Sequence, residues 1–168
     1  MESTPAAGNK PAPVFADVSA GSLALGHRPG RGAYASLKRA GATHIATVLS
    51  RAEGAEAIGV AAHQAGFVWI WLDLGSTRNL PSLKNPTILS VVEALAGALA
   101  GGGRVYLHCS AGIHRTGMIA AALLYHLGHD EAEVAARLAA CARSRPGMLA
   151  KPVWRGRTHS PRIVHAER

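Results

Sequence analysis

The sequence is poor in cysteine, in aromatic residues and in acid. Its 168 residues include two cysteines, Cys109 and Cys141, too few for a disulfide-stapled secreted domain. No hydrophobic leader with a basic flank opens the chain, and no apolar run is long enough to span a bilayer. Both points suit a reducing, cytoplasmic setting in which a thiol stays reactive. Aromatic residues make up 5%, so the expected core is small-residue packing of alanine-rich helices on a sheet. Ten acidic residues against 18 Lys and Arg leave a net charge of +8. Much of that excess lies late, in Arg143, Arg145, Lys151, Arg155, Arg157, Arg162 and Arg168. With no interleaved aromatic platform or lysine-rich helix beside it, the charge reads as a solubilising tail with weak general anion attraction. Nucleic acid is not an expected partner.

What is present fits one α/β domain. Hydrophobic residues reach 48%, enough for a single real core at this length. Residues 1–13 are rich in Ser, Thr, Pro, Ala and Gly and read as disordered, residues 14–150 as the folded domain, and 151–168 as the basic tail. Strands are expected at Ser22–Gly26, Thr43–Leu49, Phe67–Leu72 and Arg104–His108. Helices are expected at Tyr34–Ala40, Glu53–Gln64, Thr87–Ala100, from Arg115 or Thr116 to Leu127, and at Asp130–Ala142 with Asp130 as N-cap. Such alternation with short links predicts a mainly parallel sheet of about four to five strands flanked by helices. Ligands of such sheets sit beyond the C-terminal strand ends, where Cys109 falls.

The run His108-Cys109-Ser110-Ala111-Gly112-Ile113-His114-Arg115-Thr116-Gly117 carries the chemistry. A cysteine and an arginine stand five residues apart, after the strand-like Arg104-Val105-Tyr106-Leu107 and before the helix-like Met118–Leu127. Cysteine is a nucleophile only as the thiolate, and a helix N-terminus stabilises that charge. Loop and first-turn N–H groups can hold phosphate oxygens, and Arg115 adds a planar fork able to grip two at once.

This loop resembles the signature of the cysteine-dependent protein tyrosine phosphatases. In that pattern His-Cys is followed, after two residues, by Gly, then after two more by Arg, Ser or Thr, and Gly. The size and element order resemble the small dual-specificity branch. The resemblance implies that Cys109 attacks phosphorus to form a phosphocysteine, with Arg115 and the amides of Ser110, Ala111, Gly112, Ile113 and His114 binding the phosphoryl oxygens. Thr116 would hydrogen-bond the thiolate, and His108 would hold the loop by hydrogen bonding and favour the thiolate without being the proton donor. It also implies a phosphorylated protein or small phosphomonoester as substrate, with phosphate, sulfate or vanadate able to occupy the loop. No metal or other cofactor is needed. Because the loop contains no lysine, inositol-lipid substrates are disfavoured. Cys141, in a helical run without such company, reads as a packing residue.

A leaving oxygen needs a proton, and a carboxylic acid commonly supplies it. The carboxyls ahead of the loop in the folded region are Asp17, Glu53, Glu56, Asp73 and Glu93. Asp73 is the best placed, since it follows a strand and opens the polar stretch Gly75–Pro86. Trp71-Leu72-Asp73 resembles the family's Trp-Pro-Asp acid loop with Leu72 in place of proline, a change common in the small branch. The plainer role for Asp73 is a strand-end cap or an ion pair with Arg78. Arg145 could approach the phosphate or cap a helix C-terminus, and His27 and Arg28 have no firm assignment. His126 and His129 have metal-like spacing but no partner nearby in sequence. Two other functions stay open here: a rhodanese-type sulfurtransferase and a phosphate-binding pseudophosphatase.

Overall fold

The computed structural model describes residues 12–75, 85–111 and 114–143. The predicted residues Gly112, Ile113, Arg78 and Arg145 lie outside these, as do the N-terminal segment to residue 11 and the basic tail. Among the described residues a five-stranded sheet forms from β1 (Ala16–Val18), β2 (Gly21–Gly26), β3 (His44–Val48), β4 (Val68–Leu72) and β5 (Arg104–His108). Their order is β1-β2-β5-β3-β4. All neighbours run parallel except β1, which pairs antiparallel with β2. The sheet is therefore mainly parallel, as expected, but its first strand has no counterpart among the expected elements. β1 is three residues long and alternates too briefly to give a period-two pattern.

Among the described residues five helices cover both faces of the sheet: α1 (Ala33–Arg39), α2 (Ala55–Gln64), α3 (Pro86–Ala100), α4 (His114–His126) and α5 (Glu131–Cys141). α3, α4 and α5 cover one face. Ile88, Val92, Leu95 and Leu99 of α3 and Ile119, Leu123 and Leu124 of α4 are buried there against Leu25, Val105 and Leu107. On the opposite face Leu37 of α1 and Ala62 of α2 pack on Ile45 and Phe67. Removing this apolar surface from water is the main drive for the layered fold.

Local chemistry sets the helix ends. Asn85 caps α3 by accepting from the Thr87 N–H at 2.9 Å, with Pro86 in the first turn where its missing N–H costs nothing. Asp130 caps α5 as expected, and Glu133 completes a capping box by reaching back to the Asp130 N–H at 3.1 Å. The helix expected over Glu53–Gln64 is present as α2 with the same end, but it starts at Ala55, after a 3-10 turn over Arg51–Glu53. Gly54 lies between them at φ +80°, a left-handed conformation that ends the turn and redirects the chain.

Strand order locates the functional end. β5 lies between β2 and β3, and His108 pairs with Gly26 on one side and Thr47 on the other. The loop after β5 is thus flanked by the chain leaving β2 and the chain leaving β3. Val48 of β3 pairs with Leu72 of β4, which brings Asp73 out beside the 3-10 turn. Parallel strands whose connections leave in opposite directions open a crevice at this point.

Candidate active site

Cys109 directly follows β5 and is 3% exposed. Ser110 and Ala111 beyond it are exposed, as is His114, which starts α4. Arg115 sits in the first turn of α4, and Thr116 beside it is completely buried. The Thr116 hydroxyl has no hydrogen-bond partner among the described residues. An orphan buried hydroxyl is costly, on the order of 1–3 kcal/mol, and merits a functional account.

Arg115 is the most heavily constrained side chain of the site. Its Nη1 donates to Glu53 Oε2 at 2.6 Å and its Nη2 to Glu53 Oε1 at 2.8 Å, a two-pronged pair. Nη1 also donates to the carbonyl oxygens of Leu74 at 2.9 Å and Gly75 at 3.1 Å. The Arg115 side chain is 11% exposed. The Arg115 hydrogen bond holds the Glu53 carboxyl down at about 2, against the opposing effect of burial, with the Ser50 N–H and hydroxyl assisting. Glu53 in turn raises Arg115 above its ordinary value, and the nearby Cys109 adds to that rise. A guanidinium offers about five N–H donors in a fixed plane. Glu53 and the two carbonyls take the Nη1–Nη2 end, leaving the Nε–Nη2 edge unclaimed by them.

The 3-10 turn links several parts of the site. The Ser50 N–H and hydroxyl both donate to Glu53 Oε2 at 2.9 Å. The Arg51 N–H donates to Asp73 Oδ1 at 3.1 Å. Arg28, in the chain leaving β2, donates from Nη1 to the Glu53 carbonyl at 2.7 Å, and its N–H approaches the Ser110 carbonyl at 3.4 Å. His108 is fully buried, with Nε2 at 2.9 Å from Thr47 Oγ1 and Nδ1 at 3.2 Å from the Cys109 carbonyl. Burial pushes it down to about 4, so it is neutral near neutral pH.

The structure thus brings Cys109, Arg115, Thr116 and His108 to one strand end, with Asp73 joined to them through the 3-10 turn. Asp73 is exposed and accepts the Arg51 N–H, a contact its sequence position did not point to. Glu53 was expected only as one carboxyl among several, and its hold on Arg115 is the main addition. Ser50-x-x-Glu53 after a buried strand is a capping-box pattern, the only local sign that this carboxylate is fixed. His129 contacts Glu133 at 3.4 Å, and among the described residues no cluster of three His, Cys or carboxylate side chains could hold a metal ion. Cys141 is fully buried, and burial pushes its thiol up to about 11, in keeping with a packing role.

A family model described as "Tyrosine phosphatase family" matches residues 74–144, which contain the whole Cys109–Arg115 loop. That match spans less than half of the chain. The chain's fold is similar to that of Tk-PTP in its active form, at 19% identity and a TM-score of 0.59, covering 84% of this chain and 89% of that one. It is also similar to kinase associated phosphatase carrying a serine at its catalytic cysteine, at 18% identity and a TM-score of 0.58 over 70% and 72% of the two chains. A third similar structure is a cysteine-to-serine form of P. aeruginosa TpbA in complex with pTyr, at 20% identity and a TM-score of 0.54 over 79% and 80%. No curated protein matches the sequence. As in these tyrosine phosphatase structures, the chain is a single α/β domain, and no described helix is long and apolar enough to cross a membrane.

Proposed function

We propose that this protein is a phosphomonoester hydrolase of the dual-specificity type, acting on phosphorylated protein through a phosphocysteine. The observation that carries this reading is Arg115 fixed end-on by Glu53 at the far side of a loop that begins with buried Cys109. An arginine oriented in advance needs no reorganisation to meet a phosphoryl group, which is how electrostatic preorganisation lowers a barrier. The superfamily match and the pTyr bound to TpbA support the same substrate chemistry.

In this mechanism the Cys109 thiolate attacks phosphorus in line. The S–P bond forms as the O–P bond to the leaving group breaks. Asp73 gives its proton to the departing oxygen, and Arg115 with the loop amides stabilises the charge on the equatorial oxygens. Water then attacks the phosphocysteine as Asp73 takes its proton, and the S–P bond breaks to return the Cys109 thiolate and release inorganic phosphate. The Thr116 hydroxyl, buried and unpartnered among the described residues, supplies a donor to the sulfur as charge returns to it. A reducing compartment suits this thiolate chemistry.

The Asp73 bond to the Arg51 N–H favours a second reading, in which the loop binds phosphate without turning it over. An N–H donor stabilises the carboxylate and so opposes a role as acid. Rapid-quench mass spectrometry during hydrolysis of an aryl phosphate separates the two. A phosphocysteine on Cys109, absent in Cys109→Ser and suppressed by vanadate, supports the hydrolase. Binding of vanadate with no covalent intermediate supports the second reading, and thiocyanate formation from thiosulfate and cyanide would favour a sulfurtransferase over both.

A further inference from the structure

Three residues on one face of the sheet are joined by hydrogen bonds that can run in only one direction. The Trp69 Nε1–H donates to Thr47 Oγ1 at 2.9 Å. Thr47 Oγ1 lies 2.9 Å from His108 Nε2, and His108 Nδ1 lies 3.2 Å from the Cys109 carbonyl. Indole has only a donor and a carbonyl has only acceptors, so both ends of the chain are fixed. For Nδ1 to bond the carbonyl it must carry the imidazole proton. Nε2 is then an acceptor, and the Thr47 hydroxyl, already accepting from Trp69, gives its own proton to it. A protonated His108 would instead aim a second donor at Thr47 and leave the hydroxyl hydrogen without this acceptor.

Thr47 and His108 are both fully buried or nearly so, at 1% and 0% exposure, so water cannot substitute for either partner. Backbone pairing fixes the same geometry, because Thr47 and His108 are partners across β3 and β5 while Trp69 lies diagonally across on β4. Gly59 of α2 makes room for the indole, since a methyl group there would overlap the Trp69 ring. Trp71 stacks on the same ring at 5.4 Å between centroids and 14° between planes.

We propose that Thr47 and Trp69 are positioning residues that fix the Nδ1–H form of His108 and thereby hold the Cys109 carbonyl in a hydrogen bond that favours the thiolate. A carbonyl oxygen carries partial negative charge next to the nucleophile. A donor on that oxygen offsets the charge and so favours the neighbouring thiolate. The other charged groups acting on this pair are Arg28, which faces His108, and Arg115, which faces Cys109. The inference rests on the hydrolase reading for its catalytic meaning, but the effect on the thiol does not depend on turnover.

The test is the pH dependence of Cys109 alkylation by iodoacetamide, read at that residue by mass spectrometry in the full-length protein. Thr47→Val keeps the shape and removes both hydrogen bonds, Thr47→Ser restores a hydroxyl, and Trp69→Phe removes only the first donor. In Thr47→Val the Cys109 midpoint should rise by about one pH unit, hence about tenfold slower alkylation below the midpoint. Thr47→Ser should return to the wild-type midpoint, and Trp69→Phe should move it in the same direction by less. An unmoved midpoint in folded Thr47→Val overturns the proposal, as does a Thr47→Ser shift equal to that of valine. Should Thr47→Val fail to fold, a wild-type midpoint in Trp69→Phe overturns it. A shifted midpoint in a protein that hydrolyses no phosphomonoester sinks the hydrolase reading and leaves this one standing.

Discussion

Glu53 meets Arg115 with both carboxylate oxygens, at 2.6 and 2.8 Å, and so takes the end of the guanidinium rather than its side. The pair is held from two directions. Ser50 fixes the carboxylate through its N–H and hydroxyl, and the carbonyls of Leu74 and Gly75 share the second hydrogen of Nη1. Arg115 therefore reaches the loop with its orientation already chosen by the turn after β3.

If Glu53 orients Arg115 for phosphate, Glu53→Gln should lower kcat/KM by about 10- to 100-fold, the loss typical of a small misplacement of a reacting group. Glutamine keeps one acceptor and turns a donor toward a guanidinium hydrogen, so vanadate should also bind more weakly. Glu53→Asp should be intermediate. Isothermal titration with vanadate gives the deciding sign: tighter binding in Glu53→Gln would make Glu53 a competitor for the arginine rather than its support.

Asp73→Asn isolates charge from scaffold, because an asparagine oxygen can still accept from the Arg51 N–H. With an alkyl or phenyl phosphate, whose leaving oxygen needs a proton, kcat/KM, which excludes the later hydrolysis of the phosphocysteine, should fall by about 100-fold or more. With an aryl phosphate whose leaving group is already a good one, the fall should be much smaller. Equal losses on both substrates would remove Asp73 as the acid and leave it a support for the 3-10 turn.

The parts of this site that were legible in the sequence are those written as contiguous residues. Cys109 to Arg115 lie in one loop, and the strand before and the helix after it have strong apolar patterns. Asp73 was legible because it ends such a strand. Glu53 was not: it is 62 residues from Arg115 in sequence, and only the order β5-β3-β4 brings the turn after β3 to the loop after β5. Thr47 and Trp69 were hidden for the same reason. Both sit in β-branched and aromatic runs that look like core, and their polar atoms gain meaning only from the parallel register beside His108. The helix expected from residue 53 ends at Gln64 as expected but begins at Ala55, because left-handed Gly54 separates it from the 3-10 turn.

Two buried or paired groups predict how the fold responds to acid. His108 falls from an ordinary 6.5 to about 4 because burial disfavours its charged form. The unfolded chain therefore binds a proton there that the folded chain refuses, and stability erodes as pH drops from about 6.5 toward 4, by at most about 1.4 kcal/mol per pH unit for one proton. Glu53 falls from 4.5 to about 2, chiefly through Arg115, so its contribution is complete above about 4.5 and is lost as pH falls through about 2. Its carboxylate is 34% exposed, and solvent screening makes this second effect the smaller. Calorimetric melting temperatures across this range should decline in both windows for the wild type. Glu53→Gln should flatten the lower window alone, and His108→Gln the upper one alone. If His108→Gln declines between about 6.5 and 4 as steeply as the wild type, the buried neutral imidazole is not the group that titrates there.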